Sequence, residues 1–197
     1  MLPDAEKDKL ILRLLKHDLP LINKLYFELV DTDSVQDKRA QLHEKIIKQV
    51  ERDSERYYSM GYLHMDMRSI SGDISQHVAI TKDKLGEISL NCTLVRHALQ
   101  LNNQRIANES YGKAYNVCIY IVARMFKILI LVQKQHEDLH LEFREDIAAI
   151  GKLIGNNPKI MKVAIYNGLD VNWLVQFNIP PNIEKLYKEL RNNGRLK

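Results

Sequence analysis

The chain has 197 residues, of which 45% are apolar and 27% charged, and only 8 Gly and 5 Pro punctuate it. That balance excludes a disordered chain, and so few turn formers exclude an all-β domain with many hairpins. Lys and Arg number 29 against 25 Asp and Glu, and the resulting +4 is too weak for a dedicated nucleic-acid binder.

The pattern predicts an all-α protein of about seven or eight helices, an irregular bundle or short stack of helix pairs. Residues 1–197 are expected to form a single helical domain. A first helix starts near Pro3 and runs to Lys16, with Leu10, Ile11, Leu14 and Leu15 at helical spacing. Asp18 caps a second, which carries Pro20 in its first turn and an apolar face of Leu21, Ile22, Leu25, Leu29 and Val30. Asp31-Thr32-Asp33-Ser34 is a turn, with Ser34 as the next N-cap and Asp37 three residues on. The third helix, about 35–57, has a narrow stripe of Val35, Leu42, Ile46 and Val50 and is otherwise expected to face water. Gly61 and Ser71-Gly72-Asp73 are expected breaks.

Two readings compete from Ile74 to Leu99. Ile74, Val78, Thr81, Leu85, Ile88, Cys92, Val95 and Leu99 alternate at spacings of four and three, a helical seam. Ile88, Leu90, Cys92 and Leu94 alternate with polar residues, the strand period, and Gly86 would turn a β-hairpin within 76–94. Eight matched positions against four favour helix.

A polar interruption at 102–112 is the candidate internal boundary. Helices follow at about Ala114–Gln135 and Leu139–Leu153, the latter ended by Gly155-Asn156-Asn157-Pro158. Another spans Pro158–Asn167, capped by Gly168, and the last lies between Pro180-Pro181-Asn182 and Asn193-Gly194. The openings at Pro20 and Pro158 share a local pattern that resembles the helix–turn–helix units of HEAT-like repeats.

The most apolar run, Val117 to Val132, is shorter than the roughly 20 residues of a membrane span. It also carries Arg124 and Lys127, each costing about 2.5–3.5 kcal/mol at a bilayer centre. A core helix, with no membrane span, is the expectation. The charged N-terminus from Leu2 to Lys9 lacks a signal-peptide core. Cys92 and Cys118 stand alone, which points to reduced thiols and a cytoplasmic setting.

One short motif carries chemistry. His136-Glu137-Asp138-Leu139-His140 fits H-E-x-x-H: on a helix, His136 and His140 share a face that would hold zinc, and Glu137 would polarise the metal-bound water. The five residues resemble the zincin metallopeptidases, which implies a metal-dependent hydrolase. Asp138 puts a charge beside the glutamate, and no G-x-x-H ligand follows. A later acidic ligand would have to be Asp170 or Glu184. The acidic cluster Glu137, Asp138, Glu142, Glu145 and Asp146 lacks the paired spacing of magnesium sites on two helices. Asp66, Arg68 and Asp73 mark a further candidate pocket. Lys185, Lys188, Arg191, Arg195 and Lys197 form a basic helix end without interleaved aromatic residues, so nucleic-acid binding is a weak second alternative.

With no complete catalytic constellation, the expectation is a non-enzymatic cytoplasmic protein with no cofactor. Its partner would be protein, including a homo-oligomer, and its role protein–protein interaction or scaffolding. The zinc hydrolase is the alternative.

Overall fold

The computed structural model describes residues 3–196; Leu2 and Lys197 of the terminal readings lie outside them. The order is α1 (Asp4–Leu15), α2 (Leu19–Leu29), α3 (Val35–Glu55), α4 (Met60–Thr81), α5 (Lys84–Asn108) and α6 (Tyr111–Gln133). Then come α7 (Glu137–His140), α8 (Arg144–Gly155), α9 (Pro158–Tyr166), α10 (Val171–Val175) and α11 (Ile183–Asn192). No strand occurs among the described residues.

Side-chain caps set many of the helix starts. Asp18 accepts from the Leu21 N–H, Asn157 from those of Lys159 and Ile160, and Ser34 and Asp37 form a reciprocal capping box. Pro20 and Pro158 sit in the first turns of α2 and α9, where a missing N–H does no harm.

The bundle is built around α5 and α6. Helix α5 packs against α3, α4, α6, α8 and α9, while α6 also meets α4, α9 and α11. Ile88, Leu90, Cys92, Leu94 and Leu99 of α5 are fully buried, as are Val117, Ile121, Met125, Phe126 and Leu129 of α6. Full burial of each large apolar side chain contributes roughly 1.5–3 kcal/mol. Helix α6 is long and apolar enough to cross a membrane by length and composition. In this bundle it is the core helix, and the two charged groups within its most apolar run are partnered. Arg124 donates to Asn91 Oδ1, and Lys127 pairs with Glu87 at 2.7 Å.

Several expectations are corrected. The described residues form eleven α-helices, not seven or eight, because α4 and the short α7 and α10 were not separated in the sequence. The favoured helical reading of Ile74–Leu99 holds, as the end of α4 and the start of α5, and the alternative hairpin within 76–94 does not form. Its strand-like alternation has a helical cause: α5 is surrounded, so Asn91 and Thr93 are buried along with Ile88, Leu90, Cys92 and Leu94. Ser71-Gly72-Asp73 does not break the chain. Gly72 lies on the exposed side of α4, and its cost of about 1 kcal/mol is outweighed by the buried stripe of Leu63, Met67, Ile70 and Ile74. The break falls instead at Lys82, whose φ of 60° ends α4, with Asp83 capping α5. The polar run at 102–112 holds the last turns of α5 and the start of α6.

Candidate functional site

The H-E-x-x-H residues do not share one helix. His136 precedes α7 as its N-cap, with Nδ1 accepting from the Asp138 N–H at 3.4 Å. Helix α7 ends at His140, and a 3-10 turn over Leu141–Phe143 leads into α8. His140 Nε2 donates to the Gln135 carbonyl at 3.0 Å, which leaves Nδ1 as its lone-pair nitrogen. The expected arrangement of two imidazoles on one continuous helical face is therefore not formed. His136, Glu137 and His140 do line one open cleft of about 760 Å³ with Gln133, Phe177 and Asn178.

The other proposed ligands are engaged elsewhere. Asp170 caps α10 through the Asn172 N–H, and Glu184 sits between Lys134 and Lys188 at 3.2 and 2.9 Å. Asp146 pairs with Arg96 at 2.6 Å. Among the described residues, no three His, Cys, Asp or Glu side chains converge so as to hold a metal. Asp66, Arg68 and Asp73 also diverge: Asp73 pairs with Lys45, Asp66 lies near Val50 and Leu63, and Arg68 lines a separate cleft.

Exposed apolar side chains are concentrated on α1 and α2. Both amphipathic helices form as expected, but their apolar faces are only partly covered: Leu15, Ile22 and Leu25 are half-buried. No residue of either helix is buried. Leu10 is 47% exposed, Leu14 64% and Leu29 78%, and Ile11, Leu12, Leu19, Tyr26 and Val30 are also exposed. Helix α1 packs chiefly on α2, and α2 on α4. Periodicity finds an apolar face but not what covers it, so the exposure of these residues had no signal in the sequence.

Charge on α1 is polarised along the helix. Residues 4–9 hold Asp4, Glu6 and Asp8 with Lys7 and Lys9, whereas residues 10–16 hold Arg13 and Lys16 and no acid. Lys7 is tied to Asp4 at 2.8 Å, which leaves Glu6 and Asp8 as the N-terminal carboxylates without a described partner.

A second cleft escaped sequence analysis entirely. His64 and Arg68 from α4 meet Tyr120, Arg124 and Lys127 from α6 and Arg191 from α11, in a space of about 550 Å³. Its members are scattered over more than a hundred positions, and the sequence showed Arg68, the Arg124–Lys127 pair and the C-terminal basic run only as separate features.

No protein-family model matches the chain. Comparison with curated proteins and with solved structures found no match either.

Proposed function

We propose that this chain is a cytoplasmic protein–protein interaction module, a scaffold that assembles with a second copy of itself through α1 and α2. The observation that carries the reading is the apolar face of these two helices, which is formed but left largely exposed at Leu10, Leu14, Leu21 and Leu29.

A second copy fits this face on two grounds. A two-fold interface needs one patch that complements itself. Antiparallel pairing of α1 with its copy brings Asp4, Glu6 and Asp8 of each chain toward Lys16 and Arg13 of the other, and it opposes the two helix dipoles favourably. Residues 4–29 carry five Lys or Arg and five Asp or Glu, so the surface asks for no strongly charged partner. The unpaired, buried Cys92 and Cys118 support a reducing compartment.

Sedimentation velocity of the whole chain over a range of concentrations tests the reading. The expected species has twice the 23.0 kDa chain mass, and a Leu14→Asp, Leu29→Asp variant is expected at 23.0 kDa with an unchanged helical circular-dichroism spectrum. A wild-type chain that stays at 23.0 kDa throughout overturns it.

A further inference from the structure

The cleft between α4, α6 and α11 concentrates positive charge, most of it without a described counter-charge. Arg68, Arg124, Lys127 and Arg191 line it, and no lining residue is acidic. Lys127 is neutralised from outside by Glu87. The three guanidiniums have no carboxylate partner among the described residues. Arg68 makes no described hydrogen bond at all, and Arg191 reaches only the Tyr187 hydroxyl at 3.5 Å and the Leu196 carbonyl at 3.4 Å.

Arg124 is held in place beforehand. Its Nη1 donates to Asn91 Oδ1 at 3.1 Å and its Nη2 to Tyr120 Oη at 3.0 Å, and its guanidinium lies 5.0 Å from the centre of the Tyr120 ring. Tyr120 is itself fixed: it donates to the Met67 carbonyl at 3.0 Å, and its oxygen also meets Ser71 Oγ. Both of Arg124's partners are neutral, so its charge is oriented but not cancelled. Two of its five N–H donors are used, which leaves others for a ligand. Burial, and then the adjacent Arg68 charge, hold His64 below its ordinary range, so its ring adds a neutral wall. Ile119, Ala123 and the Tyr187 ring supply apolar surface at the same site.

We propose that this cleft binds a small, multiply charged phosphate compound, with Arg124 as the fixed anchor and Arg68 and Arg191 closing on the anion from α4 and α11. Arginine matches phosphate oxygens in a forked geometry, and like charges gathered at one concave site raise the local concentration of an anion. The volume matches a small molecule rather than a nucleic-acid duplex.

Titration calorimetry on the whole chain tests this with pyrophosphate and with ADP as probes, at fixed ionic strength. Saturable binding of one pyrophosphate per chain is expected. An Arg68→Gln, Arg191→Gln variant is expected to bind at least tenfold more weakly while keeping its ligand-free melting temperature, since both side chains are exposed. ADP binding more tightly than pyrophosphate assigns an organic phosphate whose ring rests on the tyrosines; equal binding assigns the phosphate group alone. No saturable binding of either probe at millimolar concentration overturns the proposal. So does an unchanged affinity in the double variant, which would place the anion elsewhere on the basic surface.

Discussion

Asp83 accepts two hydrogen bonds from Arg39, from Nε at 2.7 Å and from Nη2 at 2.5 Å, and so ties α3 to the junction between α4 and α5. The same carboxylate caps α5 through the Gly86 N–H at 2.8 Å and takes a third side-chain hydrogen bond, from His77 Nε2 at 3.1 Å. It is 3% exposed, so these partners must satisfy it.

Replacing Asp83 by Ala removes both a helix cap and the partner of a half-buried guanidinium. The expected loss is roughly 2–4 kcal/mol, read as a lower urea midpoint. Gly86→Ala acts on the same junction by contact. A Cβ there would stand 1.8 Å from Asp83 Oδ2 and 2.8 Å from Arg39 Nε. The helix-propensity gain of about 1 kcal/mol is smaller than the bonds displaced, so destabilisation is expected.

Acid should weaken the fold through Asp83. Burial alone would raise its pKa, but Arg39, the Gly86 N–H and His77 together hold it below the ordinary 3.8. The native state therefore binds fewer protons than the unfolded chain in this range. Its contribution to stability is complete above the unfolded value and is lost as pH falls below 3.8 through the lowered native value. Urea midpoints measured from pH 6 down to pH 3 should fall in wild type and fall less in Asp83→Asn.

Gly151 lets α8 approach α10 closely. An added Cβ would lie 2.8 Å from Leu174 Cβ and 3.2 Å from the Val175 backbone nitrogen. Gly151→Ala is expected to destabilise by about 1–3 kcal/mol of overpacking, less about 1 kcal/mol of helix propensity. A thermal melt gives the sign, and a rise in melting temperature would show that α10 yields.

Both thiols should be inert in the folded chain. Burial pushes Cys118 up to about 11 and Cys92 higher still. An aromatic disulfide reagent at pH 8 is expected to label neither until denaturant is added, and then both.

Phe126 is fully buried on α6 and its ring lies 5.7 Å from that of Tyr187. Phe126→Ala is expected to cost about 3–5 kcal/mol in urea unfolding and to loosen α11.

Helix class and most helix positions were legible because the signals are local. The Ser34–Asp37 box, the Asp18 cap with Pro20 and the Pro158 opening each depend on residues within a turn of one another. What failed depends on distant neighbours. The alternation at Ile88–Leu94 left a strand reading open beside the helical one because α5 is enclosed there by α3, α6 and α8, neighbours that its own sequence does not reveal. Asp83, the true break between α4 and α5, owes its strength to Arg39, 44 positions earlier. His136 and His140 fit a motif by spacing, but Gln135 and the turn after His140 decide their orientation. The cleft around Arg124 joins three helices and has no linear signature.

Mixing two charge-altered chains probes the two-fold pairing of α1 most directly. One chain carries Asp4→Lys, Glu6→Lys and Asp8→Lys; the other carries Arg13→Glu and Lys16→Glu. Antiparallel self-pairing predicts that each variant alone dimerises about tenfold more weakly than wild type by sedimentation, because like charges then face one another across the dyad. The equimolar mixture should form a heterodimer tighter than either variant's own dimer. A mixture that sediments no faster than its separate components would contradict the account.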